Sequence, residues 1–435
     1  MSPSGVYRPP PSSRRSAPKV SLSGRSHVDR LDAGLKSVSG AQEIIAAICT
    51  RRLVTKLILG HNDLGDDGCA VLFKFLCSTH GKKYKIAEIS LNSNGIGDDG
   101  LLAVAEYLRD NRTLSVLFLQ NNVFTGDSSA MSTFVSALNT SSLSFVAFST
   151  NIQLSDAFLA SFLPSISSPH LRELHLSATG LTYRSGPILI DYISSPQCRL
   201  HTLKCNGNSL GLETVKEIVA AIEHNNFGLL RVEMYSNQRD AEQDNFGDIH
   251  AKWLETEQHL KKVLIRNERL RRSTESEALF LLCYARALLL RPTAHQDDVR
   301  CELFANAPPT HSPAHTSLFP FHDLPTELQL HILSFLAPSL SSAQRIRIYE
   351  YAASSSTLPQ VLPKLHHHPN CIPDPSSMPF GMGGGIFGVT GAATEGCANG
   401  KCMGAGNSVL CKREEARARW LEEVRCSVYE PGPAL

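Results

Sequence analysis

The side chains best suited to hold a metal gather late in the chain. Cys397, Cys402 and Cys411, preceded by Cys371 and by His366, His367 and His368, are thiol and imidazole ligands of the kind zinc prefers. Four and eight residues separate the three later cysteines, whereas a zinc knuckle sets its thiols in pairs two residues apart so that both reach one tetrahedral ion. No metal site is expected. The stretch GMGGGIFG at 381–388 has the glycines of a phosphate loop but lacks the lysine that must follow. No Ser, His and Asp stand in the context of a catalytic triad. Neither catalytic residues nor a cofactor is implied, so function must rest on surfaces and on the elements that present them.

Composition sets the frame for those surfaces. The chain has 435 residues, 42% of them hydrophobic, and a formal net charge of +1. It is long enough for two domains or one extended repeat array, and its charge gives no general attraction to nucleic acid or to a membrane. No apolar run reaches the length of a membrane-spanning helix, and the first residues lack the apolar core of a secretory signal. Twelve scattered cysteines read as reduced thiols, which predicts a cytoplasmic or nuclear location.

Between residues 54 and 237 one pattern, apolar-x-x-apolar-x-apolar-x-x-Asn, recurs seven times. It reads VTKLILGHN from Val54, IAEISLNSN from Ile86, LSVLFLQNN from Leu114, LSFVAFSTN from Leu143, LRELHLSAT from Leu171, LHTLKCNGN from Leu200 and LLRVEMYSN from Leu229. The closing residues are Asn62, Asn94, Asn122, Asn151, Thr179, Asn208 and Asn237, spaced by 32, 28, 29, 28, 29 and 29. A fixed period of this length marks a stacked repeat. In each unit the alternating apolar residues predict a short strand. The asparagines are given a structural role, satisfying backbone groups that a curved parallel stack leaves unpaired. Apolar residues 69, 72, 73, 76 and 101, 104, 105, 108 then follow helical spacing, with a preceding Asp as the expected N-cap.

This pattern resembles leucine-rich repeats of the long, ribonuclease-inhibitor type. The resemblance implies an α/β solenoid shaped as a horseshoe, with short parallel strands inside and helices outside. The residue between the last two apolar positions of each strand would line the concave face: Ile58, Ser90, Phe118, Ala147, His175, Lys204, Glu233 and Leu264. Ile58, Phe118, His175, Lys204 and Glu233, with the adjacent Tyr235, are the candidate contacts for a protein target. Leu264 enters because Leu260, Val263 and Ile265 repeat the strand spacing, which predicts a degenerate eighth repeat. Lys261, Lys262, Arg266, Arg269, Arg271 and Arg272 form a basic cluster there, read either as a solvated edge or as a site for phosphate or an acidic partner.

A second element lies at 324–336, LPTELQLHILSFL. Pro325 suits a first helical turn, Glu327 suits the positive end of a helix dipole, and the apolar face is too wide to leave in water. The stretch resembles the opening of an F-box, whose consensus runs Leu-Pro-x-Glu-Leu and then Ile-Leu-x-x-Leu. The resemblance implies that Leu324, Pro325, Leu328, Ile332, Leu333 and Leu336 contact the Skp adaptor of a cullin-RING ubiquitin ligase. Tyr349 and Tyr351 lie where that family carries a tryptophan. The alternative is a helix that belongs to the protein's own fold. A third resemblance is to Ran-type GTPase activators, which place an arginine after Phe-Thr-Gly. Here Phe124-Thr125-Gly126 is followed by Asp127, whose carboxylate cannot stabilise developing negative charge.

The expected organisation is therefore a basic Ser/Pro-rich tail over 1–38, a repeat solenoid with terminal helices over 39–291, a linker over 292–320, and an F-box-like helical segment over 321–362. A disordered Gly/Pro-rich segment over 363–410 and a C-terminal helix and tail over 411–435 complete it. Residues 41–50 are expected to form a helix closing the first end of the stack. The expected function is non-enzymatic: a substrate-recognition adaptor that holds a target on the repeats and the Skp adaptor on the F-box-like helix, or else a plain repeat scaffold or regulator, with a Ran-type GTPase activator a distant third.

Overall fold

A computed structural model describes residues 26–238, 246–290, 321–357 and 412–432. The cysteines and histidines between 366 and 411 and the glycine-rich stretch lie outside the described residues. The described residues fall into two compact units, one built from those up to 226 together with those of 231–260, the other from 227–230 and those from 261 onward.

The first unit is a parallel sheet of eight strands in sequential order. The strands are β1 (His27–Asp29), β2 (Lys56–Ile58), β3 (Glu88–Ser90), β4 (Val116–Phe118), β5 (Phe145–Ala147), β6 (Glu173–His175), β7 (Thr202–Lys204) and β8 (Arg231–Glu233). Between them run α1 (Ser37–Cys49), α2 (Gly65–Cys77), α3 (Asp98–Leu108), α4 (Ser128–Thr140), α5 (Ser155–Phe162), α6 (Gly186–Ser194) and α7 (Leu212–Asn225). The middle residue of each strand, from Val28 and Leu57 to Leu203 and Val232, is buried, and from β2 onward so is the apolar residue two places on. A strand and helix of this size cannot bury their apolar faces alone, so each repeat is stable only against its neighbours. Phe148 is the centre of an aromatic cluster in that core. Its ring centroid lies 5.6–6.0 Å from those of Phe124, Phe134, Phe158 and Phe162.

The asparagines close the turn after each strand. Asn122 Oδ1 accepts from the backbone N–H groups of Asn94 and Ile96 at 3.0 and 3.1 Å, while its Nδ2 donates to the carbonyls of Leu91 and Leu119. Asn62 and Asn208 repeat this arrangement one repeat at a time. Asn151 Oδ1 accepts from Asn122 N, and Thr179 Oγ1 donates to Leu176 O. Asn94 and Asn237 only donate: their Oδ1 atoms are buried without a partner. The reason is a second kind of turn. After β2 and β7 the chain reverses at Gly65 and Gly211, at φ 56° and 81°, and sends their N–H groups to the backbone carbonyls of Asn94 and Asn237.

The residue before each closing position is left-handed: His61, Ser93, Asn121, Thr150, Ala178, Gly207 and Ser236 have φ between 52° and 67°. Only Gly and, less well, Asn tolerate that region cheaply. Thr150 is the poorest fit, being β-branched at φ 67°. Thr150→Asn should therefore raise stability by about 0.5–1 kcal/mol, read as a higher denaturant midpoint; a lower midpoint would mean that the threonine carries another role.

Three expectations change. β1 lies inside the segment assigned to a tail, so the stack begins before residue 39 and α1 is the helix of a repeat with its own strand, not a closing helix. In this repeat only Val28 and Leu35 keep the pattern, with Arg30 and Ala33 where Leu and Asn recur, so the period did not reveal it. The eighth repeat expected at 260–265 is not a strand: α8 runs unbroken from Phe246 to Leu289, and Leu264 joins no strand face. Leu260, Val263 and Asn267 are buried three and four residues apart, a helical stripe that also mimics the strand pattern. Third, Asp66 and Asp98 do not act as N-caps of α2 and α3 but lie in their first turns. Asp66 Oδ1 instead accepts from Gly97 N and Gly100 N, at the head of the next repeat's helix, at 2.7 and 2.9 Å.

The second unit is helical, formed by α8 from residue 261, α9 (Thr326–Ser334), α10 (Ser342–Ala353) and α11 (Lys412–Glu423). Ala278, Leu281 and Ala285 of α8 meet Leu333, Ala337, Leu340, Ile348, Tyr349, Trp420, Leu421 and Val424 in one core. Ser341 and Gln344 form a reciprocal capping box on α10. Tyr351 stacks edge-on against Trp420 at 5.9 Å, so the indole of this core comes from the C-terminal helix.

Candidate functional site

Strand register sets the first and third residues of each strand in two continuous rows on the open side of the sheet. One row is His27, Lys56, Glu88, Val116, Phe145, Glu173, Thr202 and Arg231; the other is Asp29, Ile58, Ser90, Phe118, Ala147, His175, Lys204 and Glu233. Ile58, Phe118, His175, Lys204 and Glu233 thus share one row, all half-buried, with Tyr235 exposed (51%) beyond its end. Ala147, in the same row, is fully buried and offers no contact.

The first row supplies what sequence reasoning omitted. Phe145 lies between Phe118 and His175, with ring centroids 4.7 and 4.8 Å away, making an aromatic shelf across three strands. The signal was present in the period: Phe145 is two residues before Ala147 and so on the same side of its strand. Ion pairs and a carboxylate–imidazole hydrogen bond flank the shelf. Lys56 meets Glu88 at 2.5 Å on one side; on the other Glu173 meets His175 Nε2 at 2.7 Å and Lys204 meets Glu233 at 3.3 Å. Burial favours the neutral imidazole and outweighs the Glu173 carboxylate, so His175 titrates below its ordinary value. Burial also pushes the Glu233 carboxyl up, but hydrogen bonds from Asn206 and Lys204 outweigh it and hold the group below the usual range. The shelf is an apolar centre flanked by the Lys56–Glu88 and Lys204–Glu233 ion pairs and by the Glu173–His175 hydrogen bond.

The sign of the His175 shift gives a pH dependence. An unfolded ring takes up its proton near the ordinary 6.5, the folded ring only at lower pH. The stability His175 contributes is therefore full above 6.5 and is lost as the pH falls from there through the folded value. Denaturant midpoints measured from about pH 8 down to about pH 5 should drop less for His175→Gln than for the wild type. Parallel curves would contradict this.

In the second unit, the F-box-like residues divide by their place on α9. Leu333 is fully buried with Gln329, whose side chain donates to Leu324 O at 2.8 Å, and Leu324 and Leu336 are half-buried. Pro325, Leu328 (49%), Ile332 (41%) and Phe335 (70%) are exposed. Leu328, Ile332 and Phe335 fall four and three residues apart, one apolar stripe facing solvent.

Asp127, at the position that Ran-type activators fill with arginine, is a helix cap. Its carboxylate accepts from Ser129 N and Ala130 N at the start of α4. Among the described residues no cluster of His, Cys, Asp and Glu could hold a metal ion, and no helix is long and apolar enough to cross a membrane.

Comparison with known proteins agrees with the geometry of the first unit. A family model described as leucine-rich repeat matches residues 52–73 and 86–105. The chain is also similar to a Rho GTPase-activating protein, gacW, of Dictyostelium discoideum, at 27% identity over 204 residues. That match takes in 45% of this chain and 18% of the relative, so the chain spans less than a fifth of that protein's length. Repeats matched at β2–α2 and β3–α3, within eight parallel strands that alternate with helices in an open sheet, support an array of leucine-rich repeats in this chain.

Proposed function

We propose that this leucine-rich repeat protein is a non-enzymatic, intracellular adaptor that selects substrates for a Skp–cullin–F-box ubiquitin ligase. Leucine-rich repeats serve protein–protein interaction, and the strand face around Phe118, Phe145 and His175 is assigned to the target. The stripe Leu328, Ile332 and Phe335, beside Pro325, is assigned to the Skp adaptor. One observation carries the second assignment: three large apolar side chains at helical spacing stay in solvent on a helix whose other face already fills a core. Holding both partners on one chain raises the target's effective concentration at the ubiquitin-transfer machinery. The two kinds of turn after the strands, and spacings of 28 or 29 residues after a first one of 32, favour the long ribonuclease-inhibitor class of repeat.

A second reading, a repeat scaffold outside any ligase, draws on Leu333 and Leu336, which the protein uses at least partly for its own core. Gel filtration separates the two. The adaptor reading expects full-length protein and purified Skp adaptor to elute as one complex that also takes up a cullin. Separate elution of two folded proteins leaves the scaffold.

A further inference from the structure

The basic cluster on α8 has no part in the reading above. Residues 261–272 read KKVLIRNERLRR, with a single carboxylate. Glu268 is engaged by Arg271 and Arg272, at 3.0 and 2.6 Å, and Arg271 also meets Glu275. Val263 and Asn267 turn inward, and Asn267 Nδ2 donates to Leu229 O at 2.9 Å. Lys262, Ile265, Arg266, Arg269 and Leu270 are left to line a cleft of about 500 Å³. Ile265 is 53% exposed within it. The Arg266 guanidinium is held 4.9 Å above the Phe227 ring, so its charge stays at the rim. Lys262 and Arg269, two turns apart, are both exposed, and no ion pair among the described residues neutralises either.

We infer that this face of α8 docks an acidic protein segment that inserts an apolar side chain between Lys262 and Arg269. The charge of the rim selects carboxylates, and a carbon-walled recess around Ile265 and Leu270 selects a projecting apolar group. A bilayer surface offers no projection to fill such a recess, and a nucleic-acid backbone offers nothing to its apolar wall. The cations set the rate and salt dependence of encounter, while the apolar group fixes the register.

The test is selection from a display library of random twelve-residue peptides on full-length protein, counter-selected on Lys262→Glu/Arg269→Glu. Both side chains are exposed, and circular dichroism with a melting curve confirms that the variant folds; should it not, Lys262→Gln/Arg269→Gln replaces it. The expected peptides carry several Asp or Glu around a Leu, Ile, Met or Phe. A synthesised winner should bind the double variant about tenfold more weakly than wild type, lose affinity to Ile265→Ser, and weaken as salt rises from about 50 to about 300 mM. Selected peptides without acidic residues, equal binding to the charge-reversed variant, or binding indifferent to salt would overturn the inference. So would capture of phosphatidylserine vesicles by wild type alone in the absence of any acidic peptide, which would make the face a lipid-binding one.

Discussion

Asn122→Ala is expected to destabilise the protein by about 3–5 kcal/mol, far beyond the loss of one exposed polar group. The amide is buried, and its Oδ1 holds the N–H groups of Asn94 and Ile96 while its Nδ2 holds the carbonyls of Leu91 and Leu119. Alanine leaves two backbone donors buried without partners, at about 1–3 kcal/mol each, and opens the contact between adjacent repeats. Asn94→Ala is the internal control. Its Nδ2 donates to Leu59 O and Asn92 O, but its Oδ1 has no partner, so no donor is orphaned and the cost should be about 1–2 kcal/mol. Denaturant midpoints of the two variants should differ in that order. Equal losses would mean that the asparagines act by packing alone. Hydrogen exchange adds a local reading, because repeats coupled only to their neighbours should lose protection first on either side of Asn122.

The second large effect belongs to Phe148. Its ring is fully buried among four others and takes a place that Leu fills at 59, 91, 119 and 176. Phe148→Ala removes the common partner of Phe124, Phe134, Phe158 and Phe162 and should cost about 3–5 kcal/mol, with Phe148→Leu costing clearly less. The comparison distinguishes a cavity from a requirement for the aromatic edge-to-face contacts themselves. If Leu cost as much as Ala, ring geometry rather than volume would be what the cluster needs.

The period exposed most of the first unit because each repeat must solve the same problem with the same residue types. Val54, Leu57, Leu59 and Asn62 return at near-constant spacing, and the strands and turns fall where they return. The pattern failed at both ends of the array, where a repeat has one neighbour instead of two and less apolar surface to bury. His27–Asp29 keeps one apolar strand residue, and the stretch from Leu260 to Ile265 fits a strand and a helix equally well. Only the buried positions farther along α8, such as Thr274, Ala278 and Leu281, decide for the helix.

The candidate sites were legible in part for a similar reason. Row membership follows from alternation, which placed Ile58, Phe118, His175, Lys204 and Glu233 together. The aromatic shelf needs the register between β4, β5 and β6, which no single repeat contains. Likewise, sequence marked the helix at 326–334 as apolar, but not which of its apolar residues the core would take. That choice depends on Tyr349, Trp420 and Leu421, which come from elements far along the chain.

The central claim is that the face of α9 left in solvent docks the Skp adaptor. The direct test is a calorimetric titration of purified adaptor into full-length protein and into Leu328→Ala/Ile332→Ala. Leu328 and Ile332 are 49% and 41% exposed and lie outside the core of the second unit, so the double variant should stay folded with a melting temperature near that of the wild type. The account predicts saturable binding to the wild type and a loss of about a hundredfold or more in the variant, as expected when two apolar anchors are removed from one interface. A folded wild-type protein that takes up no adaptor, or a variant that binds as tightly as the wild type, would contradict it.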